Sequence, residues 1–580
     1  MEFSAIQDTT HTTFTMIKSS ALFCYLFAFS ILFTGLSCKQ SNGKTSAQHD
    51  IASSPQELQQ KNTDQVRSFL QKALDNKGRL DDSLILRQPA LVQKIYEKNN
   101  NAPLWSKDEK WLPAGDSMYN VVAHAQLLGL FPEDYHGPDL VKIFTAFQND
   151  STGESDRKDA MLWSRADLML TDAFVQVLHD VKTGRIPGDS ITLRKDSLLK
   201  DEDYLELFSK LQQGGSLAEI IHSVEPHQRG YFLIKAGIQR FLDSADFKAY
   251  TVVPSPLDKN PQFRTLLQKR LFEGGYLSTD TVRADSATLV AAIKKFQNAN
   301  GIQADGVAGG GTVRMLNLND REKFIRIAIS MDRYKLLPDE MPEKYIWVNL
   351  PAFRLDLIDS GRVVFNSKVI CGKPDTRTPL LTSNVSELIT YPQWVPPPSI
   401  IAKEILPAVK KSPGYLAKKG FTLVDSRGDE IDPYSVDWTK YNKTMPYHVV
   451  QGSGDANALG IMKFNFPNKY SVYLHDTNQR YLFGQTFRAM SHGCVRVQEW
   501  NRLSDYIIRN DRGSFSGSLP ILDSVQNWLK RKQKHSVGIR NKFPLFIRYF
   551  TCEGRDGRIV FFDDIYGEDK WLRKTYFPGK

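Results

Sequence analysis

The sequence predicts a multidomain α+β protein, with a helical first half, a small three-helix unit and a sheet-rich final third. Three observations carry this. Between Asp64 and about Tyr250, apolar residues recur in steps of three and four. Leu162, Ala166, Met169, Leu170, Ala173, Phe174, Val177 and Val181 form one such stripe, which marks one face of a helix. At Tyr345-Ile346-Trp347-Val348-Asn349-Leu350 the period changes to two, and it returns around Phe353, Leu355 and Leu357, the pattern of a strand pair. Between these regions, Pro254-Ser255-Pro256 breaks the chain and opens a compact unit of its own.

The bulk numbers agree. A chain of 580 residues with 41% hydrophobic content has enough apolar side chain for two to four separate cores. Charged residues at 24% and aromatics at 11% exclude a disordered or collagen-like chain. The net charge of +10 is mild over this length and suits an anionic polymer or membrane surface. Basic and aromatic residues are not interleaved in runs, so nucleic acid is not an expected partner.

Lys18 precedes an apolar stretch from Ala21 to Leu36. That is short for a membrane span and suits the hydrophobic part of a secretion signal. A signal starting at Met16 has the expected charged-then-apolar layout. Leu36-Ser37-Cys38 ends the run, and polar sequence follows. This resembles a bacterial lipoprotein signal, which implies lipid on Cys38, a membrane anchor and a periplasmic, cell-envelope location. Residues 1–38 are then the signal and 39–62 a flexible polar tether. Processing would remove Cys24 and modify Cys38, leaving Cys371, Cys494 and Cys552. With three cysteines, at least one thiol stays free, and a free thiol in an exported protein needs a reason.

Residues 63–253 are expected to form the helical scaffold domain. Its histidines (His124, His136, His179, His222, His227) share no metal-ligand spacing. In residues 254–320, Phe263, Leu266, Leu267 and Leu271 share one helical face and Leu289, Ile293 and Phe296 another, and Thr312 can cap a third helix. Gly275-Tyr276, Ala292-Ile293, Phe296-Gln297, Asp305-Gly306, Thr312 and Leu316-Asn317 give this stretch its resemblance to the three-helix peptidoglycan-binding module. These are mostly core and turn positions, so a structural role stays open beside glycan binding. A linking helix is expected over 321–344 and a β-rich domain over 345–580. Within the latter, 394–447 reads as an insertion that could cap a site. Gly513 to Ser536 reads as polar connecting sequence. Phe543 to Phe562 reads as two strands around Asp556-Gly557 that return to complete the sheet.

The chemistry concentrates in Ser491-His492-Gly493-Cys494-Val495-Arg496, preceded by His475 at the end of a strand. A free thiol has a pKa near ~8.5, so a nucleophilic cysteine needs a base. Gly493 lets a backbone approach the substrate closely. With Gly372-Lys373, Thr378-Pro379, Trp394, Asn457-Ala458-Leu459-Gly460, Pro467-Asn468 and Tyr473-Leu474-His475-Asp476, the motif resembles the L,D-transpeptidase family with its YkuD-type domain, in its large, cap-bearing form. The resemblance implies Cys494 as nucleophile and His475 as base. Ser491 and His492 would orient the loop or hold the proton-accepting histidine, and amides of Gly493 and Cys494 would stabilise the oxyanion. It implies no cofactor and no metal, although His475, His492 and Cys494 are a conceivable zinc set. Arg496 could bind a stem-peptide carboxylate or pair with a local acid. Tyr473 and Trp394 could line the substrate or simply pack. The implied partners are peptidoglycan stem peptides and glycan. The implied reaction is 3→3 cross-linking through a cysteinyl thioester. An L,D-carboxypeptidase using water, or a non-catalytic wall-binding scaffold, remain alternatives.

Overall fold

The computed structural model describes residues 49–580, apart from 82–83, 150–155, 196–197, 281–283, 301, 303 and 512–514, with backbone alone for 515–520. The expected signal, Cys38 and the first part of the tether lie outside the described residues.

The first half is helical, as the spacing predicts. Its elements are α1 (Pro55–Asp75), α2 (Pro89–Glu97), the short ladder β1/β2 (Ser106–Lys107, Lys110–Trp111), α3 (Pro113–Ala123), α4 (Gly137–Asn149), α5 (Ala160–Thr183), α6 (Asp201–Gln212), α7 (Leu217–Val224) and α8 (Arg229–Ser244). The tether expected to reach residue 62 is shorter. Ser54 caps α1 by accepting from the Glu57 amide, and Pro55 presets the first turn, so ordered helix begins within the polar stretch. Propensity and capping outweigh the lack of apolar residues there.

Helix α5 runs through the middle of this core and is buried on nearly every side. Its acids anchor its neighbours. Asp167 accepts from the Tyr96 hydroxyl (2.6 Å) and from the amides of Leu104 (2.9 Å) and Trp105 (3.0 Å). Asp180 accepts from Tyr135 (2.6 Å), and Asp172 meets His136 Nε2 at 2.8 Å.

Helices α9 (Phe263–Glu273), α10 (Ser286–Ala299) and α11 (Gly310–Leu316) form the small unit around Leu267, Leu271, Ile293, Phe296 and Leu316. Buried Gln297 explains part of the motif. Its amide nitrogen donates to Asp305 Oδ1 and Thr312 Oγ1, and its oxygen accepts from the Gly306 amide. Gly306 has φ +79°, the left-handed conformation that favours glycine.

Helix α12 (Asp320–Tyr334) leads into strands β3 (Lys344–Asn349), β4 (Arg354–Asp359), β5 (Arg362–Gly372) and β6 (Leu381–Thr390). The insertion follows. It comprises α13 (Pro398–Ile400), a π-turn (Ile401–Ile405), α14 (Leu406–Lys411), α15 (Tyr415–Lys418) and the pair β7 (Phe421–Val424) and β8 (His448–Gln451). It has its own core of Ile405, Leu406, Val409, Leu416, Leu423, Trp438 and Val449. Trp394 exchanges backbone bonds with Gln451, so the insertion closes at 451 rather than 447.

The barrel resumes with β9 (Met462–Asn465), β10 (Leu474–His475), β11 (Ala489–Ser491), β12 (Val495–Val497), α16 (Trp500–Asp511), α17 (Phe515–Lys530) and β13 (His535–Arg548). Strand order β5-β12-β10-β9-β6-β13-β3-β4 closes on itself through β4–β5, and β11 pairs with the end of β5. The stretch expected to be polar connection is largely α17, whose Leu522 and Val525 are buried against the barrel.

Strand β13 takes its place in the barrel, whereas the two strands expected around Asp556-Gly557 do not join it. Hairpin β14/β15 (Cys552–Arg555, Arg558–Phe561) forms a separate pair. It packs on α8 so tightly that a Cβ at Gly554 would lie 2.0 Å from Leu233 backbone. Helix α18 (Glu568–Tyr576) follows. Tyr231, Ile234, Ile327, Trp347, Phe546, Phe550 and Phe577 form one shared core, so the helical half and the barrel are packed against each other.

Candidate active site

Cys494 ends the turn that follows β11 and enters β12. The turn is built by side-chain bonds to the backbone. Ser491 Oγ donates to the Cys494 carbonyl (2.6 Å) and accepts from the Gly493 amide (3.1 Å). Thr378 Oγ1 donates to the Gly493 carbonyl (2.8 Å), and Thr376 Oγ1 to the Ser491 carbonyl (3.0 Å). Gly372 cannot carry a side chain here, because a Cβ would meet the Thr376 carbonyl oxygen at 2.1 Å. These contacts give Gly372, Thr378, Ser491 and Gly493 structural reasons to stand where they do. They also revise one expectation. The Gly493 amide is bonded to Ser491 Oγ, which leaves the Cys494 amide as the remaining member of the expected oxyanion pair.

Gly493 has φ +121°, where any L side chain is strained by about 1–3 kcal/mol. Gly493→Ala is therefore expected to lower the melting temperature by a few degrees at most and, as the turn shifts to relieve the strain, to slow acylation of Cys494 by ten-fold or more. Stopped-flow acylation by a β-lactam that absorbs in the near-ultraviolet would read this. An unchanged rate would mean that the turn's conformation does not matter to the thiol.

Strand register sets the rest of the site. Leu474 pairs with Val495 and His475 with Arg496, in parallel; on the other side His475 pairs with Lys463 of β9. Side chains alternate along strands, so Lys463, His475 and Arg496 share a face with Tyr473 and Cys494. The Cys494 thiol is half-buried. Burial raises its pKa, while Tyr473 (through both its amide and its hydroxyl), Lys463 and Arg496 oppose the rise. The Tyr473 phenol stands between this sulfur and the Trp394 indole.

His475 is 4% exposed. Burial, with the charges of Arg496 and Lys463, depresses its pKa to about 3. It is therefore neutral near pH 7, the state in which imidazole accepts a proton. Its Nδ1 is buried without a protein partner. Asn457 Oδ1 fixes the Leu459 amide (2.8 Å). Asp476 accepts from Ile461 N (3.1 Å) and from Arg480 Nε (3.1 Å). A Cβ at Gly460 would press on Asp476 at 2.3 Å. The Asn457-to-Gly460 motif thus shapes the loop behind the imidazole.

Sequence reasoning placed His492 with the catalytic group. In the structure its Nε2 pairs with Glu404 in the π-turn of the cap, so it ties the cysteine loop to the insertion. Arg496 Nη1 donates to Gln479 Oε1 (3.1 Å) and meets no carboxylate among the described residues, which removes the local-acid alternative. Trp394 both closes the insertion and reaches Tyr473. No cluster of three or more metal-ligating side chains occurs among the described residues. Lys463 was missed from sequence. Its strand carries no motif of its own, and only the alternation of buried Met462 and Phe464 about it hinted at its face.

A half-buried thiol on a glycine turn, a phenol beside it and a neutral buried imidazole on the same sheet face are the parts that thiol-dependent acyl transfer requires. Comparison with known proteins agrees with this class. Residues 343–512 match the L,D-transpeptidase catalytic domain (YkuD), residues 90–237 a Scaffold domain and residues 260–316 a "Putative peptidoglycan binding domain". Along the chain, the stretches similar to a scaffold domain and to a peptidoglycan-binding domain thus precede the stretch similar to the YkuD-type catalytic domain.

A curated relative, "Putative L,D-transpeptidase" of Haemophilus influenzae, is 34% identical over 247 residues, 43% of this chain and 48% of that protein. The chain thus spans about half the length of the curated relative it matches. Among solved structures, the L,D-transpeptidase from Mycobacterium smegmatis is 14% identical, covering 36% of this chain and 58% of that one at a TM-score of 0.17. The L,D-transpeptidase (Yku) from Stackebrandtia nassauensis is 16% identical, covering 52% and 97% at 0.16. At these scores neither likeness carries an argument.

Proposed function

We propose that this chain is a peptidoglycan-modifying acyltransferase, and within that class an L,D-transpeptidase that forms 3→3 cross-links. The observation that carries the proposal is the shared sheet face of Cys494, Tyr473 and His475, with His475 neutral and its Nδ1 unpartnered. The Cys494 sulfur attacks the carbonyl of the third residue of a tetrapeptide stem. His475 takes the thiol proton and returns one to the departing amine, so D-Ala leaves and a thioester forms. An amine of a second stem then attacks the thioester, an amide forms and the thiol is regenerated. The cap, joined to the cysteine loop by Glu404 and His492, stands where it can cover the stem. The protein is further proposed to act in the periplasm, held to the membrane by lipid on Cys38.

Intact-mass spectrometry of wild type and Cys494→Ala, after a carbapenem and then a disaccharide-tetrapeptide, tests the reading. A drug adduct on wild type alone, with dimer formed and D-Ala lost, is the expected result. Tripeptide without dimer would replace transpeptidation by hydrolysis of the same thioester. Neither adduct nor product would overturn the proposal.

A further inference from the structure

Lys463, His475 and Arg496 form a row across three adjacent strands, with a cation on each side of the imidazole. Cys494 and Tyr473, two residues back along their strands, share the face. Lys463 Nζ lies 4.1 Å from the centroid of the Tyr473 ring, which places the ammonium on the thiol side of the sheet. Neither cation meets a carboxylate within ion-pair distance among the described residues. Arg496 donates to the Gln479 amide oxygen, and its Nε is buried with no partner. The acid whose charge reaches Lys463 is Glu387, and Glu387 already accepts from Asn465 and Ser536.

Lys463 and Arg496 are half-buried, and even a partly buried cation without a counter-ion is costly. Two of them beside one nucleophile leave a place for an anion that the protein does not supply. The thiolate serves for part of the cycle, but its charge is lost on acylation. We infer that Lys463 and Arg496 together receive a free carboxylate of the acyl donor, so the site selects peptides with an ionised carboxylate near the bond that breaks and discriminates against amidated ones. This rests on the acyl-transfer reading of Cys494 and adds Lys463 as a specificity-determining residue.

The arrangement has a second effect. Both cations oppose protonation of His475. A carboxylate seated between them offsets that charge, so the imidazole becomes a stronger base when a donor is bound.

The test compares two reagents of equal size, anionic iodoacetate and neutral iodoacetamide. Each alkylates Cys494 by forming a sulfur–carbon bond as iodide leaves. Rates on the full chain are read by mass spectrometry, with Cys494→Ala as the blank for other thiols and free cysteine as the reference. Wild type is expected to favour iodoacetate by ten-fold or more relative to free cysteine. Lys463→Met should lose most of that preference, and Lys463→Arg should keep it. A wild type with no preference would overturn the inference without any variant needing to fold, as would equal preference in wild type and Lys463→Met. Neither readout requires transpeptidation, so a failure here is distinguishable from a failure of the proposed reaction. With stems as donors, Lys463→Met should raise KM for the free-carboxylate donor more than for its amidated counterpart.

Discussion

His475→Gln is expected to slow acylation of Cys494 by about 10²–10⁴-fold, the range that a positioned general base contributes, while the protein still folds. The same substitution should change how stability depends on pH. The folded imidazole is held neutral down to about pH 3, whereas an unfolded histidine takes a proton near pH ~6.5. As pH falls below that value, the unfolded chain binds the proton first. Stability present above about pH 6.5 is therefore lost as pH falls towards 3. Between pH 7 and pH 5 the loss attributable to this one group is about 2 kcal/mol. Urea unfolding of wild type and His475→Gln at both pH values isolates it, because every other titrating group is common to the pair. Parallel losses in the two proteins would mean that the imidazole is solvated or paired, and would weaken its assignment as the base.

Asp167→Ala should be the most damaging single change in the helical half, at about 4 kcal/mol. One carboxylate there receives the Tyr96 hydroxyl and two consecutive backbone amides. Its removal leaves three buried donors without an acceptor, each costing about 1–3 kcal/mol, partly relieved by any water that enters. Trp105 also donates its indole NH to Thr171 (2.8 Å), one turn further along α5, so the disturbance spreads along the helix. The expected reading is a lower urea midpoint with an unchanged slope. A loss below about 1 kcal/mol would show that the loop at Leu104 and Trp105 repairs itself.

The parts of this molecule that were legible in its sequence are those governed by local rules. The stripe from Leu162 to Val181 is a helix because its period is helical, and the three helices between 263 and 316 follow their apolar faces; Thr312, expected to cap the third, lies inside it, because the helix already starts at Gly310 and Thr312 is drawn in to bond Gln297. His475 ends a strand, and Ser491 to Cys494 forms a tight turn, as glycine and a short polar side chain favour. What escaped was decided by distant packing. Helix α17 lies in sequence that reads as polar connection, and the barrel wall supports it around Leu522 and Val525. The last hairpin announces its turn at Asp556-Gly557, but nothing in its residues states that it packs on α8 instead of joining the barrel. Lys463 illustrates the same limit at the site. Its place beside His475 exists only through the pairing of β9 with β10, and strand pairing is not written in either strand alone.

One seam of the barrel joins β3 to β13, where Ile346 lies beside Leu545 in parallel register, about two hundred positions later in the chain. No nucleus built from the first half of the catalytic domain can seal that seam. The polypeptide must hold β3 and β4 with one edge open until the closing strand arrives, and contacts of such long sequence separation make folding slow. During that interval the bare edge of β3 is a template for any other extended chain. The vulnerable moment in this protein's life is therefore its maturation, and a holding chaperone that shields β3 should raise its yield more than any gain in native stability.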